Sequence, residues 1–138
     1  CFDALSAKLV ERAGFPLTFV SGFSAAAAKG LPDTGLLSYA EMESVMRRVT
    51  AVLGGRLPAI GDGDTGYGNA VNVKRTVKGY ASAGLAGVMI EDQVAPKRCG
   101  HTKGKEVVDR ATAVARVRAA VDASREAAPT RDDSVLIV

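Results

Sequence analysis

Apolar positions along the chain fall into two alternating patterns. Four short unbroken runs, 17–20, 57–60, 87–90 and 135–138, have the length and the apolar content of buried strands. Between them apolar residues return every three or four positions, the period of a helix face. Leu5, Leu9, Val10 and Ala13 make the first stripe, with Asp3 placed to cap it and Gly14 placed to end it. Met42, Val45, Met46, Val49, Val52 and Leu53 make the second. It opens on Ser38-Tyr39-Ala40-Glu41, a capping box in which the hydroxyl and the carboxylate satisfy each other's backbone amides, and it stops at Gly54-Gly55. A third helix starts near Asn72 and buries Val73, Val77, Tyr80 and Ala81 before Gly84. A fourth follows Asp109, with Ala111, Val114, Val117 and Val121 inward, and Pro129 closes the linker to the last strand.

The order is helix, strand, helix, strand, helix, strand, helix, strand. Continuous apolar strands alternating with amphipathic helices predict an α/β domain over 1–138, with a parallel sheet covered by helices. In such sheets ligands bind beyond the carboxyl ends of the strands. The polar residues collect there: Ser21-Gly22 after the first strand, Asp62 and Asp64 after the second, Glu91 after the third.

Composition narrows the function classes. The chain has 138 residues, 47% hydrophobic and 24% charged, enough to bury a core. Net charge is +3 and aromatics are 5% with no Trp, so no stacking platform for single-stranded nucleic acid is present and nucleic acid is not an expected partner. No apolar run reaches the ~18 residues of a membrane span, and no signal peptide is visible. Two cysteines, Cys1 and Cys99, are too few for a disulfide framework and suit a soluble protein of a reducing, intracellular compartment. The chain begins without Met and ends in a strand, which reads as a domain cut at both ends.

The stretch Gly61-Asp62-Gly63-Asp64-Thr65-Gly66-Tyr67-Gly68-Asn69 fits a dinucleotide fingerprint by spacing, with Glu91 further on as the ribose acid. Two aspartates inside that loop would repel a pyrophosphate, which argues against it. An EF-hand fails because Tyr67 and Val73 stand where Gly and Glu are required. A turn without a ligand is the plain alternative. In extended chain, Asp62 and Asp64 point to one side, so both carboxylates can meet one cation. Together with Glu91 they suit a hard ion, Mg²⁺ or Mn²⁺, which keeps waters that substrate oxygens can replace.

The segment 92–108 has no clear period and carries Lys97-Arg98-Cys99-Gly100-His101. Neighbouring cations favour a thiolate, so Cys99 is a candidate nucleophile or proton donor; an idle thiol on a basic surface is the other reading. Cys99 and His101 alone do not make a zinc site, and His101 has no visible partner for a hydrolytic triad.

The stretch 61–69, Ile90-Glu91-Asp92-Gln93 and Lys97-Arg98-Cys99-Gly100-His101, in this order and spacing, with Ser21-Gly22-Phe23, Leu31-Pro32-Asp33-Thr34-Gly35 and Phe2-Asp3-Ala4-Leu5-Ser6-Ala7, resemble the isocitrate lyase/phosphoenolpyruvate mutase superfamily over nearly the whole chain. The likeness is strongest to its branches of plant carboxyvinyl-carboxyphosphonate phosphorylmutases, petal death protein and 2-methylisocitrate lyases. It implies a (β/α)₈ TIM barrel, of which this chain would supply about half, roughly strands two to five. It implies a Mg²⁺-dependent carbon–carbon lyase that acts on a small 2-hydroxy or 2-oxo carboxylate through a metal-stabilised enolate. It also implies Asp62 and Asp64 as metal ligands, with Asp33 and Glu91 supporting through water. Ser21, Gly22 and Phe23 would bind the substrate carboxylate. Lys97, Cys99, Gly100 and His101 would lie on a gating loop, with Cys99 protonating the carbanion. Phosphonomutase chemistry on a phosphoenolpyruvate-like substrate is the alternative activity, and a half-barrel that does no chemistry alone is the alternative state. The parent protein would be a homotetramer. The likeness to plant members allows a plastid, with any transit peptide upstream of Cys1. The run through Ala28-Lys29-Gly30 is one residue shorter than the family's, which predicts a displaced Asp33.

Overall fold

The computed structural model describes residues 1–128, 130 and 133–138; Pro129, the expected end of the linker, lies outside the described residues. Asp3 opens helix α1 (Ala4–Arg12): its carboxylate accepts from the Ser6 amide at 2.7 Å, and Ser6 Oγ returns the bond to the Asp3 amide. Strand β1 (Thr18–Val20) leads into a short helix α2 (Gly22–Ala27). Helix α3 (Tyr39–Leu53) starts at the expected capping box, with Glu41 Oε2 accepting from the Ser38 amide at 2.8 Å, and ends on Gly54 in the left-handed region. Then follow β2 (Ala59–Asp62), α4 (Ala70–Ser82), β3 (Gly87–Met89), α5 (Arg110–Ala127) and β4 (Leu136–Ile137).

The four strands form one parallel sheet in the order β1-β2-β3-β4, the arrangement of consecutive barrel strands joined by helices. Helix α4 packs on α5 and α3, and α3 packs on α1 and α2. Between sheet and helices lie Val20, Met42, Met46, Val49, Val73, Val77, Tyr80 and Val88, all fully buried. The outer edge of β1 is covered in part by residue 1: the Cys1 ammonium donates to the Phe19 carbonyl at 2.7 Å, and the Ser21 amide donates to the Cys1 carbonyl at 3.2 Å. Among the described residues no helix is long and apolar enough to cross a membrane.

Two helix faces differ from the sequence pattern. In α5 the buried face is Arg116, Ala119, Ala120, Ala123 and Ser124, while Val114 and Val117 are exposed and Val121 is half-buried. Small side chains let the α5 backbone approach α4 closely, and that approach turns the valines outward. Val114 and Val117, with Val107, Ile90 and Val138, line a groove of about 800 Å³. In α1, Ala7 is fully buried while Leu5 and Leu9 are exposed. The segment 92–108 is more ordered than its composition suggests. Gln93 and Val107 form an antiparallel bridge, and the Val94 and Val108 amides donate to Glu106 and Asp92 carbonyls at 2.9 Å each, closing the loop at its base.

The cap of α3 is testable by itself. Ser38→Ala removes the acceptor of the Glu41 amide and a donor to Glu41, and is expected to lower unfolding free energy by about 1 kcal/mol in urea titration. Glu41 is held at about 2, first by the Lys29 ion pair and then by Ser38. This depressed folded value means its contribution is present above the ordinary carboxylate range and fades as pH falls toward about 2.

Candidate functional site

Asp62 is the last residue of β2, and its carboxylate is fixed on both oxygens. Oδ2 accepts from the Gly22 amide at 2.9 Å, and Oδ1 accepts from the Asp64 amide at 3.1 Å. A side chain at Gly22 would not fit freely, since its Cβ would stand 3.0 Å from Asp62 Oδ2 and 3.6 Å from Asp64 Oδ1. The glycine that opens α2 therefore lets a backbone N–H approach the carboxylate.

The two aspartates meet as expected, but not through strand periodicity. Asp64 has left the strand and sits at φ 47°, in the left-handed region, as does Tyr67 at φ 60°. Such conformations cost on the order of 1 kcal/mol each outside glycine and persist where the surroundings fix them. Here Gly63 continues the ladder by donating to the Met89 carbonyl at 2.9 Å, and the Asp64 carbonyl accepts from the Glu91 amide at 2.7 Å. The β2 and β3 ends are thereby tied together at Asp64 itself and at the residue before it.

A tyrosine cluster supports this turn from below. Tyr80 Oη donates to the Asp62 carbonyl at 3.1 Å and lies 3.3 Å from Tyr67 Oη. Tyr39 stacks on Tyr80, meets Tyr67 edge-on, and carries the Arg75 guanidinium 4.3 Å above its ring. Burial raises the Tyr67 and Tyr80 pKa values, so both remain neutral hydrogen-bonding phenols.

Lys97 enters from the loop and is almost wholly buried. Its ammonium contacts Asp64 Oδ1 and lies 3.1 Å from Asp33 Oδ1 and 3.8 Å from Glu91 Oε1. Asp33 is thus in place despite the shorter approach to it, because the turn at 32–35 packs against the Lys97 backbone and side chain around Gly35. Asp64 Oδ1 is buried, and among the described residues no donor other than this ammonium reaches it. Burial raises the Asp64 pKa; Lys97 opposes that rise and the Asp62 charge adds to it. Burial acts to lower the Lys97 pKa, but its bond to Asp64 and the surrounding carboxylates raise it overall, so it stays charged.

Two residues outside the expected site set hold the third strand end. Gln93 is buried and uses its whole amide: Nε2 donates to Glu91 Oε2 and to the Arg98 carbonyl, and Oε1 accepts from the Arg98 amide at 3.2 Å. Arg116, buried on α5, donates to the Glu91 and Gln93 carbonyls. Arg116 shares the helix face of Ala119, Ala120 and Ala123, and a lone cation within a small-residue stripe is the cue that could have found it.

The remaining expected residues lie around this centre. Ser21 Oγ caps α2, accepting from the Ser24 amide at 3.4 Å, and Phe23 is exposed. Cys99 Sγ is 3.7 Å from His101 Nδ1, with Gly100 and His101 exposed on the loop. Among the described residues no hydrogen bond or ion pair joins Cys99 or His101 to the carboxylates.

Among the described residues no three acids, cysteines or histidines stand close enough to hold an ion by themselves. The donors present nevertheless fit a hard cation. They are all carboxylate oxygens, one of them a buried oxygen met by nothing but an ammonium, and an ion that keeps several waters needs only one or two of them directly.

The sequence model of the family described as phosphoenolpyruvate phosphomutase matches residues 1–134. The chain is 46% identical over 121 residues to 2,3-dimethylmalate lyase of Eubacterium barkeri, covering 87% of this chain and 41% of that protein. It is 46% identical over 124 residues to the chloroplastic carboxyvinyl-carboxyphosphonate phosphorylmutase of Arabidopsis thaliana, covering 89% of this chain and 36% of that protein. A crystal structure of phosphonopyruvate hydrolase with oxalate and Mg²⁺ superposes with a TM-score of 0.82 at 34% identity, covering 99% of this chain and 44% of that one. The chain therefore spans about two fifths of the length of the curated relatives it matches.

Proposed function

Because this chain belongs to the phosphoenolpyruvate mutase/isocitrate lyase superfamily, a superfamily of TIM-barrel lyases and mutases, we propose that it forms the metal-binding half of a Mg²⁺-dependent carbon–carbon lyase acting on a small 2-hydroxy or 2-oxo carboxylate. The observation that carries this reading is the set of carboxylates at the ends of β2 and β3, with Asp33 from the turn at 32–35 beside them. Asp62 is locked by two backbone amides, and Asp64 is held in a left-handed turn with one oxygen free of any neutral donor.

In this reading Asp62 and Asp64 hold Mg²⁺, and Asp33 and Glu91 bind its waters. When bound, the ion supplies positive charge against the negative charge that develops as the bond breaks. The protein's own part is positional. The amides of Gly22 and Asp64 keep the Asp62 carboxylate in a single orientation, and the tyrosine cluster keeps its backbone there. Ser21, Gly22 and Phe23, at the start of α2, would bind the substrate carboxylate. Cleavage of a 2-hydroxy acid gives the hydroxyl proton to a base, converts the hydroxyl-bearing carbon to a carbonyl and leaves the electron pair of the broken bond on the carbon of the departing fragment. Cys99 then gives its thiol proton to the carbon that holds this electron pair, and His101 beside it returns a proton to the thiolate.

The test is calorimetric titration of the chain with Mg²⁺ and oxalate, followed by assays of alkylmalate, 2-methylisocitrate and oxaloacetate cleavage. Saturable oxalate binding that requires Mg²⁺ is the expected result. Binding that is absent, or indifferent to Mg²⁺, removes the metal site from the proposal. Cys99 favours cleavage over phosphonomutase chemistry, and turnover of a phosphonate without cleavage of the alkylmalates would reverse that preference.

A further inference from the structure

We propose that Gln93 is a positioning residue whose single side-chain amide joins the Glu91 carboxylate at the cation site to the peptide of Arg98, and thereby sets where the Cys99 thiol stands relative to the ion. The inference rests on the reading above, in which Mg²⁺ lies among the carboxylates and Cys99 gives the proton, and it adds the group that holds those two parts together.

Gln93 follows β3 and is buried. Its Nε2 donates to Glu91 Oε2 at 2.5 Å and to the Arg98 carbonyl at 3.1 Å, and its Oε1 accepts from the Arg98 amide at 3.2 Å. One side chain thus grips both backbone groups of one residue, as a facing residue does in an antiparallel pair. Cys99 comes next in the chain. Among the described residues, the polar bonds that Cys99 makes itself, between its thiol and His101 and from Thr102 to its carbonyl, stay within the loop. Toward the strand ends the thiol is therefore placed through Lys97 and the Arg98 peptide. On the other side, the bond to Oε2 orients Glu91 so that Oε1 faces the Lys97 ammonium, 3.8 Å away.

Gln93 can do this because it is itself fixed. Its backbone forms the bridge to Val107, and Arg116 of α5 donates to the Glu91 carbonyl at 2.5 Å and to the Gln93 carbonyl at 3.1 Å. The task also needs an amide. A primary amide carries two N–H donors and an acceptor on one rigid plane, whereas a carboxylate only accepts and a thioether does little of either. Gln93→Glu keeps the shape and the acceptor for the Arg98 amide, but sets like charge against Glu91 Oε2 and gives the Arg98 carbonyl no donor. Gln93→Met fills the space and leaves the Arg98 peptide and the Glu91 oxygen without this partner. Asp62 and Asp64 make no bond to Gln93; the Gly22 amide, Tyr80 and Lys97 hold them instead.

The test reads the two parts separately. Oxalate is titrated calorimetrically into each chain in the presence of Mg²⁺. Alkylation of Cys99 by iodoacetamide is timed with and without Mg²⁺ and oxalate, and read after quenching on the tryptic peptide 99–103, which keeps it apart from Cys1. In the unaltered chain Mg²⁺ and oxalate together are expected to slow alkylation at least about threefold, because the thiol stands over the bound anion. In Gln93→Met and in Gln93→Glu that slowing is expected to vanish, while oxalate binding weakens by no more than about threefold, since the ligating aspartates are held by other groups. Slowing retained in a folded variant overturns the proposal. So does its loss together with oxalate binding, which would make Gln93 a support of the cation site alone. If one variant fails to fold by circular dichroism, the other decides; if both fail, Gln93 is a structural residue and the proposal falls. If the unaltered chain binds oxalate with Mg²⁺ and Cys99 is not shielded, the inference falls and the cation-site reading stands; if it binds no oxalate, that reading falls and this inference with it.

Discussion

Replacing Cys99 with alanine is expected to lower turnover of a cleavable 2-hydroxy acid by about 10² to 10⁴-fold while leaving Mg²⁺-dependent oxalate binding unchanged. A positioned general acid contributes on that scale. The separation of the two readouts follows from the geometry. Asp62 and Asp64 are fixed by Gly22, Asp64 and Tyr80, and Cys99 makes no polar contact with any of them. Removing its sulfur empties a half-exposed position and leaves the carboxylates as they are. Cys99→Ser is expected to stay nearly as impaired, because a hydroxyl surrenders its proton far less readily than a thiol. Steady-state kinetics beside calorimetry make the comparison. Full turnover by the alanine variant would assign proton donation to another group, and a joint loss of turnover and oxalate binding would make Cys99 a structural residue.

Gly63→Ala is expected to cost about 1–3 kcal/mol of stability, read as a lower melting temperature by circular dichroism. A Cβ at this position would stand 2.7 Å from the Met89 carbonyl oxygen and 2.7 Å from Ile90 Cδ1. The isoleucine tip can turn away, but the carbonyl belongs to β3 and already accepts from the Gly63 amide at 2.9 Å. Relief requires β2 and β3 to part at their carboxyl ends, where Asp62 and Asp64 flank the glycine. Weaker Mg²⁺ binding should therefore accompany the lost stability. Gly79→Ala is the informative contrast. Its nearest obstacle is Tyr39 Oη, the end of a side chain that can shift, even though the built separation is shorter. An unaltered melting temperature in Gly63→Ala would show that the two strand ends yield independently.

Much of the fold could be read from residues because local chemistry and tertiary packing agree there. Asp3, Ser38 and Asp109 cap the helices they were expected to cap, and each strand falls within two residues of its apolar run. The start of α4 was placed late because Asn69, which caps it, also closes the Gly-rich turn before it. Disagreement appears where packing depends on size more than polarity. In α5 Ala119, Ala120 and Ala123 are buried while Val114 and Val117 are exposed, an outcome that a hydrophobicity stripe reads backwards. The acids were legible because carboxylates at strand ends are unusual. The burial of Lys97 was not, since a lysine in a basic, glycine-containing loop looks like solvent-facing charge until its partners are placed around it. Arg116 was invisible for a related reason: it saturates backbone carbonyls created by the fold itself.

The antiparallel bridge between Gln93 and Val107 separates two kinds of heritable change. On the sheet side of it, the acids depend on glycines and tyrosines from several elements, and a substitution there disturbs its neighbours. Beyond it, the segment that carries the thiol joins the rest of the molecule through Lys97, the Arg98 backbone and its own closed base. Such a segment can be lengthened, shortened or exchanged between sequences without recutting the sheet. A lineage could thus keep one inherited cation shelf and try new reactions above it by trading a single cassette.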